Sequence, residues 1–220
     1  MAGAERRRRR SIAMQLDIIV VIMIGALAAL ALAAGMAYQR VVSARLEEAR
    51  RLLMEGSIVD PETGASSRRF LLERFGQEFQ KARRHGSALA CIAVGIDDFA
   101  LLEERFGRDA CARLLRQFAD ICRASARLYD IVGRYERDEF VLLLPDTDAP
   151  GAAAVAERIR RSIAGDLVIN TGTCNIFVSM SAGVAALVPT DEGVDHLLRR
   201  VYGALAAARN SGKNRIVKAT

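Results

Sequence analysis

The stretch Arg134-Tyr-Glu-Arg-Asp-Glu-Phe140 holds the residues of this sequence best suited to chemistry. Asp138 and Glu139 are adjacent acids between two short apolar runs, Ile131 to Arg134 and Glu139 to Leu144, so they fall at a tight turn between strands. Two carboxylates at such a turn could hold a hard cation such as Mg²⁺, which takes oxygen ligands. They have a plainer reading too, because acidic side chains at turns are commonly just solvated. Cys91, Cys111, Cys122 and Cys174 form no C-x-x-C pair and show no metal-ligand spacing. Their apolar or helical contexts read as buried, reduced thiols, which fits a reducing compartment.

The elements that must position the acidic pair follow from hydrophobic period. Phe70 to Arg84 reads as a helix, Ala88 to Ile96 as a buried strand, and Leu101 to Ala126 as a long helix. After the two short strands, Pro150 to Ile163 reads as a helix. Ile176 to Leu187 reads as a strand region, Val194 to Arg209 as a helix and Arg215 to Lys218 as a last strand. Strands alternating with helices, with one hairpin in the middle, imply a sheet covered by helices.

Of 220 residues, 51% are hydrophobic and 26% charged, which excludes a wholly disordered chain. The net charge of +6 is unevenly placed. Residues 1–51 carry nine arginines against four acids, and the remainder carries 23 basic and 22 acidic residues. The folded part is therefore nearly neutral, which argues against a nucleic-acid partner. Ile18 to Tyr38 contains no charge and is long enough to span a bilayer as a helix. A cleaved signal peptide is the rival reading, but the run is long for one and continues into a charged helical segment. The chain divides into a basic tail (1–17), a transmembrane helix (18–38), a helical stalk or connector (39–57) and a domain (58–220). Arginines flank both sides of the span, so charge alone does not set its orientation.

Several ordered motifs carry a resemblance. Asp60-Pro-Glu-Thr63-Gly64 followed by Arg68-Arg69-Phe70, Ile96-Asp97-Asp98-Phe99, and Phe106-Gly107 precede Arg134 to Phe140. Ala156-Glu157-Arg158-Ile159-Arg160, Ser181-Ala-Gly183-Val184-Ala185, and Ala208-Arg209 through Gly212-Lys213-Asn214-Arg215 follow it. Together they resemble the GGDEF family, the diguanylate cyclase domain that condenses two GTP into cyclic di-GMP. The resemblance implies an α/β (α+β), nucleotidyl-cyclase-like fold: a central, five-stranded, mostly antiparallel sheet flanked by helices, here preceded by one transmembrane helix.

The chain departs from that family's pattern at informative places. Glu136 and Arg137 stand where the family has two glycines, which allow a tight turn and close approach of a nucleotide. Gly95 stands where it has a metal-binding Asp. Glu103 and Ala112 stand where it has an Asn and an Asp that read guanine, and Ala100 where it has a Lys. Asp138 and Glu139 remain as catalytic and metal-ligand remnants. Arg209 and Lys213 remain where the family places phosphate contacts. Phosphoryl transfer depends on metals that position phosphates and neutralise charge, so these losses should abolish cyclase activity. Mg²⁺ would enter only with a nucleotide at the remnant site.

Arg127-Leu-Tyr-Asp130 is the single R-x-x-D in the chain. It stands at the offset where the resemblance implies an inhibitory product site, to which Arg158 also belongs. Arginines bind phosphates bidentately or stack on bases, and an Asp accepts from guanine N–H groups. The plain alternative is a surface ion pair at a helix end. The expectation is a membrane-anchored, catalytically inactive cyclic di-GMP receptor acting through Arg127, Asp130 and Arg158. It would work as a homodimer or complex subunit with a protein partner the sequence does not name. A nucleotide-independent scaffold and an active cyclase are the alternatives. The expected location is the bacterial inner membrane, single-pass, with the domain facing the cytoplasm.

Overall fold

The computed structural model describes residues 57–170 and 175–219, with helical positions between 35 and 45. The expected span at 18–38 lies almost wholly outside the described residues, as do most of the stalk and Cys174. Among the described residues no helix is long and apolar enough to cross a membrane.

The domain runs α1 (Arg68–His85), β1 (Leu89–Ile96), α2 (Phe99–Ala124), β2 (Ile131–Arg134), β3 (Glu139–Pro145) and α3 (Ala149–Asp166). It continues with β4 (Val168–Asn170), β5 (Asn175–Phe177), β6 (Met180–Ala186), α4 (Val194–Asn210) and β7 (Ile216–Lys218). Five strands form one sheet in the order β2-β3-β1-β6-β7, antiparallel except for β6 with β7. The expected mostly antiparallel sheet flanked by helices is what forms.

β1 lies at the centre because all eight of its residues are buried, the apolar run that a strand covered on both faces requires. Its side chains alternate between two cores. Ala90, Ile92, Val94 and Ile96 face Leu114, Phe118, Ala156 and Ile159 of α2 and α3. Leu89, Cys91 and Ala93 face Phe75, Phe79, Val201 and Leu205 of α1 and α4. β3 splits the same way, with Phe140 and Leu142 on one side and Val141 and Leu143 on the other. Cys91, Cys111 and Cys122 are free and buried, as read from their contexts.

Helix ends are set locally. The Ser67 hydroxyl accepts from the Phe70 N–H at the start of α1, and Gly86 closes it in the left-handed region at φ 65°. Asp148 caps α3 by accepting from the Gly151 N–H at 2.8 Å. α4 lies close on β6: a Cβ at Gly183 would collide with the backbone of Val201 and Leu205.

One expectation needs correction. The helix read as continuous from Leu101 to Ala126 is broken at Gly107, whose φ 80° and ψ 168° are not helical. The strand region read from Ile176 to Leu187 divides into two strands. Its first part, β5, pairs with β4 in a separate two-stranded hairpin that sequence reading missed. Strands of three residues are too short to show a period.

Candidate functional site

The site is built where β1 ends. Gly95 lies opposite Glu139 of β3 on one side and Ser181 of β6 on the other. The connection from Tyr135 to Asp138 reverses the chain into β3 and sets both acids beside that strand end. Tyr135 and Glu136 N–H groups close the turn by donating to the Glu139 carbonyl at 2.9 and 3.2 Å. None of residues 135–138 has a positive φ. The reversal therefore forms without the positive-φ conformations that paired glycines would allow. Four residues share the reversal, so each keeps an ordinary backbone conformation.

Arg209, in the last turn of α4, reaches this turn. Its guanidinium donates to Glu139 Oε1 at 2.5 Å and to Asp138 Oδ2 at 3.4 Å. Gly95 makes the room, because a Cβ there would overlap the same guanidinium. Burial pushes the Asp138 carboxyl up from its ordinary value, against the lowering effect of Arg209. Among the described residues no three His, Cys, Asp or Glu side chains gather as a metal-binding group.

The two side chains that replace the expected glycines are both paired. Glu136 meets Arg68 at 3.0 Å, and that guanidinium lies 4.3 Å above the Tyr135 ring. Arg137 pairs with Glu103 and sits 5.6 Å from the Phe99 ring centre. Arg137 and Glu103 line a cleft of about 370 Å³ together with Phe99, Arg108, Cys111, Ala112 and Leu115. Arg134 fixes the opening segment to the sheet edge, donating to Asp60 at 3.2 Å and to Glu62 at 2.5 Å. Lys213, with φ 60°, donates to Asp98 at 2.6 Å.

Asp97 is a buried carboxylate with three donors. The hydroxyls of Ser179 and Ser181 each donate at 2.7 Å, and the Asn214 N–H donates at 3.0 Å. It ties the end of β1 to β6 and to the loop that follows α4.

Residues 57–215 match the family described as diguanylate cyclase, GGDEF domain. The chain belongs to the GGDEF family. It is 30% identical over 165 residues to the response regulator PleD of Caulobacter vibrioides, covering 74% of this chain and 36% of PleD. It is 30% identical over 168 residues to a diguanylate cyclase of Vibrio cholerae, covering 76% of this chain and 51% of that protein. The chain thus spans between about a third and a half of these relatives. The structure of the diguanylate cyclase SiaD of Pseudomonas aeruginosa with its activator SiaC aligns at a TM-score of 0.70 and 30% identity, covering 99% of this chain and 89% of SiaD. The GGDEF domain of DgcB from Caulobacter crescentus, in complex with c-di-GMP, aligns at a TM-score of 0.69 and 21% identity, covering 73% of this chain and 92% of that one. That second likeness shows the fold alone.

Within this GGDEF domain, Arg127 and Asp130 lie in the turn that follows α2, and Arg158 reaches the end of that helix but lines neither cleft beside the turn. The Asp130 carboxylate accepts from the Arg127 N–H at 2.6 Å, and the Asp130 N–H returns to the Arg127 carbonyl at 3.1 Å. The plain alternative of an Arg127–Asp130 ion pair does not form: the aspartate holds the backbone of the turn. The Arg127 guanidinium is engaged by no other side chain among the described residues. Arg158 of α3 donates from its guanidinium to the Ser125 carbonyl at 2.5 Å, two residues before Arg127. Clefts of about 600 and 640 Å³ flank the loop, both lined by Arg127, Leu128 and Asp130. Leu128 and Tyr129 are 90% and 81% exposed.

Arg209 and Lys213 are the expected phosphate-contact residues whose charges are engaged elsewhere, one by the two acids and the other by Asp98. Sequence reading missed the Arg68–Glu136 and Arg137–Glu103 pairs and the Asp97 network. Opposite charges at the departing positions 103 and 137 were the available signal.

Proposed function

We propose that this chain is a membrane-anchored GGDEF protein without cyclase activity that binds cyclic di-GMP through Arg127, Asp130 and Arg158. One contrast carries this reading. Glu136 and Arg137, which stand in place of the two glycines, are both held in ion pairs, whereas Arg127, on an exposed loop between two clefts, has no side-chain partner among the described residues. A dianionic dinucleotide offers phosphates that a guanidinium binds bidentately and guanine N–H groups that a carboxylate accepts. Asp130 pre-orders the turn, and Arg158 ties α3 to the residues preceding it.

The degenerate signature supports inactivity. Two-nucleotide condensation needs a cleft that admits the phosphates and a fixed positive charge aimed at them. Here Arg137 and Glu103 meet across the cleft, and Arg209 and Lys213 are turned to carboxylates. The apolar run at 18–38 supports single-pass anchoring, and a cytoplasmic domain is the orientation in keeping with a cytoplasmic nucleotide as its ligand. A partner protein would read the bound state. The structure of SiaD in complex with its activator SiaC is a precedent, in a relative, for a diguanylate cyclase that binds a partner protein.

Calorimetric titration of cyclic di-GMP into the full-length protein tests the binding. A dissociation constant near 1 μM, worth about −8 kcal/mol, is expected and should vanish in Arg127→Ala. No heat and no rise in melting temperature at about 100 μM ligand would refute it, since a ligand selective for the native state must stabilise it. Formation of cyclic di-GMP from GTP and Mg²⁺, lost in Glu139→Gln, would refute the inactive reading. A C-terminal reporter active only in the periplasm would refute the topology.

A further inference from the structure

The acidic pair raises a separate question: what neutralises it. We infer that the Arg209 guanidinium is the resident cation of Asp138 and Glu139, in the place where a divalent metal would otherwise be required, and that the site is metal-independent. Three observations converge. Position 95 has no side chain to complete a metal's ligand set, and Asp97, just beyond β1, is already taken up by three donors. The guanidinium lies against Gly95 so closely that any Cβ would overlap it. The same group donates to both acids, at 2.5 Å to Glu139 and 3.4 Å to Asp138.

The residues therefore do not fit a divalent ion. Mg²⁺ prefers six oxygen ligands in near-ideal octahedral geometry and holds its waters tightly. Two carboxylates already compensated by an arginine offer it a net charge of only −1, with the guanidinium donating to both. All three side chains are partly buried, Arg209 at 31%, Asp138 at 24% and Glu139 at 15% exposure, so their attraction is screened less than at a free surface. The pair also does structural work. It links the β2–β3 turn to the end of α4, two segments far apart in sequence. Gly95 and Arg209 form a matched set: restoring an acid at 95 would expel the arginine, and losing the arginine would leave two like charges side by side.

The test uses Mn²⁺ alone, read by electron paramagnetic resonance, and thermal unfolding of the full-length protein with Mg²⁺ or an equal ionic strength of NaCl. Wild type should show no Mn²⁺ bound at this site at about 1 mM ion, and the same melting temperature in both salts. Arg209→Gln should melt lower, and the doubly changed Gly95→Asp, Arg209→Ala should gain Mn²⁺ affinity by at least about tenfold over wild type. Mn²⁺ bound by wild type and lost in Asp138→Asn would overturn the inference. So would an Arg209→Gln protein that melts like wild type, or a double variant with no gain. If the variants fail to fold, the wild-type and Asp138→Asn measurements still decide. Because no arm contains dinucleotide, failure here is separable from failure of the receptor reading.

Discussion

Replacing Asp97 by alanine should be among the most damaging single changes in the domain. The carboxylate is 5% exposed and accepts from two serine hydroxyls and one backbone N–H. Hydrogen bonds to a charged group contribute about 1.5–3 kcal/mol each. The sum overstates the loss, because removing a buried charge also recovers part of its desolvation cost. Ser179 and the Asn214 N–H are partly exposed and can turn to water. Ser181 is 0% exposed and cannot, so its hydroxyl is orphaned in the core. The net expectation is about 3 kcal/mol for Asp97→Ala, which lowers the melting temperature by roughly 6–12 °C for a domain of this size. Ser181→Ala alone should cost about 1 kcal/mol, since it leaves a carboxylate with two donors. The double variant should then be less damaging than the sum by about 1 kcal/mol, because it removes the orphan along with its partner. Thermal and urea unfolding of the full-length variants, followed by circular dichroism, read all three. An Asp97→Ala cost below about 1 kcal/mol, or strict additivity with Ser181→Ala, would refute the argument.

Gly183→Ala should cost more than about 3 kcal/mol, because its methyl meets the backbone of Val201 and Leu205 rather than a yielding side chain; a melting curve checks it. Glu157 is held at about 2 by hydrogen bonds from Arg160 and Arg161. The folded value lies below the ordinary one, so its contribution is whole above about pH 4.5 and fades as pH falls towards about 2. The gap in urea midpoint between wild type and Glu157→Gln should accordingly be largest near neutrality and close by about pH 2. Arg127→Ala should leave the melting temperature within a degree or two of wild type, since the side chain is exposed and has no side-chain partner among the described residues, even as dinucleotide binding is lost.

Most of the sheet could be read from residue pattern because β1 and β3 are continuous apolar runs and β2 and β3 flank a polar turn. The helices were legible from stripes such as Leu71, Phe75, Phe79 and Ala82. The β4–β5 hairpin was not, since three residues give no period. The break at Gly107 was hidden because the apolar stripe resumes after it at Cys111, Leu114 and Leu115. The course of the turn at 135–138 was not legible for a specific reason: two glycines need not be matched by glycine-like angles when four residues carry the reversal. The candidate site was legible as a set of positions but not as a set of partners. Spacing locates Asp138, Glu139 and Arg209, but only the register of Gly95 against Glu139 shows that one side chain's absence admits another.

That last point makes the departures physically coupled, and the Arg137–Glu103 pair lets the coupling be measured. Glu103 is 26% exposed and Arg137 57% exposed. Truncating Glu103 leaves an arginine that can reach water, at small cost. Truncating Arg137 leaves a carboxylate that is largely covered, beside a cleft it shares with Glu62. The costs should therefore be unequal, with Arg137→Ala the larger, and a double-mutant cycle should return a coupling of about 0.5–1 kcal/mol. The pair is partly exposed, so raising the salt should shrink that coupling. Equal single costs with no coupling at low salt would mean that the two residues are only neighbours in the lining of the cleft.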